Sequence, residues 1–295
     1  MRRLVPTWNV PVLLVLMLAA CSGGSTPEVL ATTNILADVA RNVIGDQLSV
    51  GSLLPVGADP HSYQPVPQDA TKVKESKVLV IHGADYETFL QPLLDNAGGK
   101  ENVIDASTGL RLLSGMESET AVDPHLWLDP NNVIVYVENI REGLKQFDPD
   151  GAEAYDSNAN TYIDELTELD AWINGQVAQI EPQRRVLVTN HESLGYFAER
   201  YGFVVVGAIT PSFSSDSSPS AQQMADLIEQ IKVHKAPAIF LDASDNPDLA
   251  QQIATETDVK VVTDLHLESL TDGGPAATYI DMMKYNVSRI VEALQ

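Results

Sequence analysis

"DGAEAYDSNANTYIDELTELDAWINGQVAQI", residues 150–180, meets no strong helix breaker before Pro182. Its apolar residues (Tyr155, Tyr162, Ile163, Leu166, Leu169, Ile173, Val177 and Ile180) fall mostly on one stripe at helical spacing. At 1.5 Å per residue, a helix over this stretch spans roughly 40–45 Å, longer than most globular helices. What flanks the helix decides its purpose. On the N-terminal side, "VLATTN", "LSVGSLLPVG", "KVLVIHG" and "ENVIDAS" read as strands. They alternate with the helical patterns "ILADVARNVIG", "QDATKVKES" and "YETFLQPLLDNA", and a further helix, "NNVIVYVENIREGLKQFD", follows Pro130. On the C-terminal side the same alternation recurs. "RRVLVTN", "FVVVGAI", "APAIFLDAS" and "VKVVTDL" read as strands; "LGYFAERYG", "PSAQQMADLIEQIKVHK", "NPDLAQQIATETD" and "TYIDMMKYNVSRIVEAL" read as helices. Strands alternating with helices imply parallel βαβ units. The expected fold class is α/β: two lobes joined by one long helix, which acts as a stiff strut.

The boundaries follow from this pattern. Residues 29–149 form the N-terminal lobe, 150–182 the linking helix and 183–295 the C-terminal lobe. Ahead of them, "MRR" and the apolar "LVPTWNVPVLLVLMLAAC" have the form of a secretory signal, too short and too Pro-interrupted for a spanning helix. The ending "LAAC" resembles a bacterial lipobox. That resemblance implies a signal peptide over 1–20, cleavage before Cys21 and a lipid on its sulfur. Residues 21–28, with "SGGSTPE", have the composition of a tether. The reading is of an exported chain, anchored by lipid to the bacterial plasma membrane and acting outside the cytoplasm as a monomer. A single cysteine excludes an internal disulfide framework and a thiolate metal cluster. The net charge of −23 argues against nucleic acid as a partner.

The chain has six histidines, and two of them occur in the same tripeptide, Asp-Pro-His, at 59–61 and 123–125. Proline before His61 and before His125 restricts the backbone and lowers the entropy of presenting each ring. His61 follows a strand end, and so does His191 after "RRVLVTN"; His125 lies in the turn before the helix at Pro130. Ligands of open α/β sheets bind outside the carboxyl ends of strands. Three histidines on loops from both lobes therefore point to a metal site in the cleft between them. His82 reads as structural and His234 as solvated, while His266 neighbours carboxylates that bear on the site.

"LLPVGADPHSYQP", "DPHLWLDP", "TNHESLGYFAERYG" and "TYIDMMKYNVSRIVEAL" resemble the signature segments of the metal-binding lipoproteins of bacterial ABC transporters, the zinc- and manganese-specific solute-binding family. The resemblance covers nearly all of the chain after the leader, with the segments in order. It implies two (β/α)4-like lobes joined by one long backbone helix, with the metal site in the interdomain cleft. It places the family's first metal histidine at His61, the second at His125 and the third ligand at His191, with Glu192 beside it. The fourth ligand departs from the family's usual Asp: "TDLHLESLTDGGPAATY" offers Glu268 in that register, with Asp264 as competitor, and Glu268 is taken first.

Three imidazoles and one carboxylate suit Zn2+ in tetrahedral geometry, with Mn2+ as the alternative cargo. The His-rich loop of many zinc members is absent, and the loop before His125 is acidic instead. The implied partner is the membrane permease of an ABC transporter, and no enzymatic activity is expected. Two alternatives have different signatures. A zinc hydrolase would use three ligands and an unligated Glu268 as base, but the sequence has no HExxH and no nucleophile elbow. A surface adhesin would leave the histidines without a role. The stretch "SFSSDSSPS" (212–220) reads as a flexible connection.

Overall fold

The structure is a computed structural model that describes residues 26–115, 121–215 and 217–295. The signal segment 1–20, Cys21 and most of the tether lie outside the described residues. No helix among those described is long and apolar enough to cross a membrane.

Two parallel sheets frame the molecule. The first holds β1 (Val29–Ala31), β2 (Val50–Ser52), β3 (Val78–Ile81) and β4 (Val103–Asp105) in the order β2-β1-β3-β4. Its crossovers contain α1 (Asn34–Ile44), α2 (Pro67–Glu75) and α3 (Leu90–Ala97). The second holds β5 (Val186–Thr189), β6 (Val204–Ala208), β7 (Ala238–Asp242) and β8 (Lys260–Leu265) in the order β6-β5-β7-β8. Its crossovers contain α6 (Gly195–Tyr201), α7 (Ala221–His234) and α8 (Asp248–Thr257). The inner strands β1 and β7 are buried along their whole length, as parallel strands covered on both faces must be.

The local chemistry explains where elements start and stop. The Thr33 side chain accepts from Leu36 N at 3.2 Å and caps α1, which ends at Gly45 with φ 57°. Asp129 caps α4 (Pro130–Phe147) by accepting from Asn131 N at 2.9 Å, with Pro130 in the first turn. The helix read from "YETFLQPLLDNA" begins later than its pattern, at Leu90. The reason lies upstream. Gly83, Ala84 and Asp85 are all left-handed, with φ of 80°, 51° and 60°, so the chain coils tightly before α3 can start. Only glycine fits at 83, where a Cβ would come within 2.1 Å of Asp105 Oδ1.

The long helix α5 runs over Ala152–Val177, 26 residues and about 39 Å. Tyr155, Ala159, Tyr162, Leu166, Leu169, Ile173 and Val177 form its buried stripe. That stripe packs on α1 and α4 of the N-terminal lobe and on the closing helix α9 (Tyr279–Leu294) of the C-terminal lobe. One apolar cluster therefore passes through α5 and includes Val80 of β3 and Phe240 of β7 alike. Each fully buried Leu or Ile in it is worth about 1.5–3 kcal/mol of transfer free energy. A separate cluster backs each sheet, around Leu30 and Leu79 in one and Ile239 and Leu241 in the other.

Candidate metal centre

Four loops at strand carboxyl ends bring one side chain each to the cleft. His61 lies in the loop after β2. Asp59 Oδ1 accepts from the His61 amide at 2.9 Å, while its Oδ2 accepts from Ser62 Oγ at 2.9 Å and from Ser215 Oγ of the other lobe at 2.6 Å. The second Asp-Pro-His turn closes differently. Asp123 Oδ1 accepts from both the His125 amide at 2.9 Å and the ring Nδ1 at 2.8 Å. That contact fixes the Nδ1–H tautomer and leaves the Nε2 lone pair for a ligand, the carboxylate–histidine arrangement common behind bound metals. His191 follows β5, its carbonyl held by Thr189 Oγ1 at 2.6 Å. Glu268 follows β8, where Asp242 Oδ2 accepts from the Leu267 amide at 2.6 Å and the Glu268 amide at 3.3 Å.

The four side chains converge. His125 Nε2 is 3.2 Å from His61 Nε2 and 3.3 Å from His191 Nε2. Glu268 Oε1 lies 3.4 Å from His125 Nε2 and 3.3 Å from His191 Nε2. Glu268 Oε2 is 3.9 Å from His61 Nε2. Among the described residues this is the group of His, Cys, Asp and Glu whose ligand atoms all lie within 4.8 Å of one another. Donors about 2.0–2.1 Å from a tetrahedral centre stand about 3.3–3.4 Å apart. The spacing around His125 and His191 is thus what one small cation requires. Glu268 Oε1 is buried without a hydrogen-bond partner, and an acceptor in that state needs a cation or a donor beside it.

Electrostatics agree with this geometry. Burial acts to raise the pKa of Glu268, but the facing imidazoles of His125, His191 and His61 overcome it and hold the carboxyl well below its ordinary range. Burial drives the pKa of His61 down to about 4, against the Glu268 charge. Burial also works to lower His191, but the adjoining Glu268 prevails and holds it above the ordinary imidazole value. The shell around the cluster is aromatic. Tyr86 and His61 stand perpendicular at 5.3 Å between centroids, and Trp127 packs 5.4 Å from His125. A pocket of about 340 Å3, lined by His61, Tyr86, Phe213 and Glu192 among others, opens the cluster to the cleft.

The remaining candidates stand elsewhere. Asp264 is occupied by Arg289 Nε at 3.0 Å and Tyr285 OH at 2.9 Å, so its carboxylate faces away from the cluster. His266 packs against Tyr285 with its ring tilted by 41°, and its backbone is held by Asn286. His82 is buried behind the site, its Nε2 2.7 Å from Thr33 Oγ1, and burial lowers its pKa to about 3. His234 is exposed at the end of α7. The stretch 212–220 is more than a connection: Phe213 lies 6.4 Å from His125 between ring centroids, and Ser215 reaches across to Asp59. Sequence reasoning missed Tyr86, whose hydroxyl donates to Glu268 Oε2 at 2.8 Å. No spacing marks it. Sequence reasoning also gave no role to Asp123, although the acid two residues before His125 in the Asp-Pro-His turn was a signal that could have found it.

Fold and cluster together define a two-lobed α/β protein that binds a divalent metal in its cleft. Residues 29–293 match the family model described as zinc-uptake complex component A, periplasmic (ZnuA). The manganese-binding lipoprotein MntA of Halalkalibacterium halodurans is 34% identical over 272 residues, covering 92% of this chain and 89% of that protein. The manganese ABC transporter substrate-binding lipoprotein PsaA of Streptococcus pneumoniae is 28% identical over 295 residues, 95% of each chain. Among solved structures, the periplasmic zinc binding protein TroA from Treponema pallidum superposes with a TM-score of 0.83 at 27% identity, over 91% of this chain and 99% of that one. The manganese-bound periplasmic metal binding protein from Candidatus Liberibacter asiaticus gives 0.80 at 28% identity, over 90% and 99%. The chain belongs to this family of metal-specific substrate-binding proteins of ABC transporters, whose members deliver metal to a membrane permease and are not enzymes.

Proposed function

We propose that His61, His125, His191 and Glu268 together hold one Zn2+ ion, captured outside the cytoplasm and handed to the permease. The observation that carries this reading is the 3.2–3.4 Å spacing of the donor atoms around His125 and His191. Three neutral imidazoles and one carboxylate oxygen favour zinc, because manganese prefers a shell richer in oxygen. The second carboxylate oxygen is engaged by Tyr86, which supports binding through one oxygen and four coordination. Relatives are named for manganese as well as for zinc, so the donor set rather than kinship argues for the ion.

Capture requires each histidine to present a lone pair. Burial keeps His61 neutral, and the Asp123 contact turns the lone pair of His125 inward. The Glu268 carboxylate supplies one negative charge against the cation. His61 and His125 come from the N-terminal lobe, His191 and Glu268 from the C-terminal lobe, so binding ties the lobes over 29–149 and 183–295 together. We extend the proposal to a monomer held at the plasma membrane by lipid on Cys21, consistent with relatives that are themselves lipoproteins.

The test is metal content by elemental mass spectrometry after exposure to equimolar zinc and manganese, wild type beside His191→Ala. One zinc per wild-type chain, lost in the variant, is expected. Manganese retained in place of zinc overturns the choice of ion, and metal retained equally by His191→Ala overturns the ligand set.

A further inference from the structure

The segment that carries Glu268 runs along the boundary between the lobes and is gripped from both sides. Its own lobe holds it through Asp242, as described above. From the other lobe, Trp127 Nε1 donates to Leu267 O at 2.9 Å. The contact that closes the far side of the loop comes from Asn34, the first residue of α1. Its Oδ1 accepts from Leu270 N at 2.9 Å, and its Nδ2 donates to Ser269 Oγ at 2.8 Å. The same Oγ accepts from the Gly57 amide at 2.8 Å, in the loop that carries His61, and donates to Leu270 O at 2.9 Å. One turn further along α1, Asp38 Oδ2 accepts from Tyr279 N at 2.9 Å, where α9 begins. One face of α1 is therefore stitched to both ends of the loop that follows β8, consistent with residues i and i+4 sharing a helix face.

We propose that Asn34 is a positioning residue for metal capture: its carboxamide ties Ser269–Leu270 to the N-terminal lobe and so keeps the Glu268 carboxylate turned towards the three imidazoles. The inference rests on the reading of Glu268 as a ligand. A carboxamide offers a donor and an acceptor side by side, and both are used here; aspartate lacks the donor and leucine lacks both. Glu carries one more rotatable bond than Asp, so a glutamate ligand must have more freedom removed before its oxygen is held in place. Tyr86 fixes the end of that side chain, and the Asn34 link fixes the backbone from which it springs. For the backbone that carries Glu268 to draw away from the N-terminal lobe, the loop must break both Asn34 bonds and leave the Leu270 amide unpaired. Its loss should therefore appear in how fast metal leaves rather than in how fast it arrives.

The experiment is stopped-flow release of zinc into excess EDTA, with association measured separately, for wild type, Asn34→Leu, Ser269→Ala and the double variant. Thermal melting is followed in parallel. Asn34→Leu keeps the side-chain size and removes both hydrogen bonds. It is expected to speed release about tenfold, the scale seen when outer-shell partners of metal ligands are removed, and to change association less than about twofold. Ser269→Ala removes the Asn34 and Gly57 contacts of its hydroxyl but leaves the Asn34–Leu270 bond. The double variant should speed release by less than the product of the two single accelerations, because both changes cut the Asn34–Ser269 bond. Release at the wild-type rate from Asn34→Leu, or a lower melting temperature with no change in release, overturns the proposal. If Asn34→Leu does not fold, Asn34→Asp, which keeps the acceptor for Leu270 N and loses the donor to Ser269 Oγ, decides alone: faster release supports the role and an unchanged rate overturns it. His61→Ala is the control for the underlying site. Tight zinc binding by that variant would sink the ligand assignment itself, whereas its loss beside an unaffected Asn34→Leu sinks only the role of Asn34.

Discussion

The two Asp-Pro-His turns look alike in sequence but hold their rings differently, and the difference predicts unequal costs. Asp123 Oδ1 accepts from both the amide and the ring Nδ1 of His125, at 2.9 and 2.8 Å, with a side chain only 4% exposed. Asp59 accepts from the amide of His61 at 2.9 Å and otherwise serves Ser62 and Ser215. Asp123→Asn leaves a carbonyl in place to accept both bonds but removes the charge. A hydrogen bond to a charged group is worth about 1.5–3 kcal/mol and a neutral one about 0.5–1.5 kcal/mol. The difference, about 1–1.5 kcal/mol, corresponds to about tenfold in zinc affinity. Asp59→Asn should cost less than about threefold, because no ring nitrogen of His61 depends on that carboxylate. Competition against a chromogenic chelator at pH 7.5 measures both. Affinity of Asp123→Asn within twofold of wild type would refute the argument that this carboxylate sharpens His125. Equal losses in the two variants would refute the claimed asymmetry.

Zinc affinity is expected to fall with acid, because protons compete for the imidazole lone pairs. His191 leads, since Glu268 holds its pKa above the ordinary value despite burial, while His61, depressed by burial to about 4, stays neutral; a titration flat from pH 7.5 to 5 would contradict this. Burial raises Glu87 from 4.5 to about 7, against hydrogen bonds from Thr32 and from the amides of His82 and Gly83. Between those values the folded chain keeps a proton that the unfolded chain has lost, so this group's contribution makes stability fall as pH rises through the window, by up to about 3 kcal/mol. Urea unfolding of Glu87→Gln should lack that decline, and curves parallel to wild type at pH 5 and 8 would refute it. Leu166→Ala, at a fully buried position on the long helix, should lose about 2–5 kcal/mol in thermal or urea unfolding, and a loss under 1 kcal/mol would mean that the stripe is not the shared core.

Much of this was legible in the sequence for a physical reason. Apolar runs such as "KVLVIHG" and the stripe along α5 are periodic signals, and periodicity is what buried elements leave in a sequence. The Asp-Pro-His repeat was legible because proline and a flanking acid leave a local signature around each histidine. Local signatures end where contacts become distant. Tyr86 meets Glu268 after three successive left-handed residues, Gly83 to Asp85, turn the chain just ahead of it, and no residue pattern announces such a turn. The late start of α3 has the same origin. Between Glu268 and Asp264 the decision depended on Arg289 and Tyr285, which reach Asp264 from α9. The bridging role of Ser215 was hidden because a serine-rich stretch has the same composition whether or not it packs.

The apolar cluster threaded through α5 has a further consequence. With both lobes built around one shared core, the distance between the strand ends is set by packing that the cargo never touches. A frame of this kind cannot be widened or narrowed to suit a different ion without disturbing the core of both halves. Change of cargo is therefore expected to proceed by exchange of side chains at a few loop tips, a glutamate for an aspartate or a histidine for a glutamate, while the scaffold beneath is inherited almost unaltered.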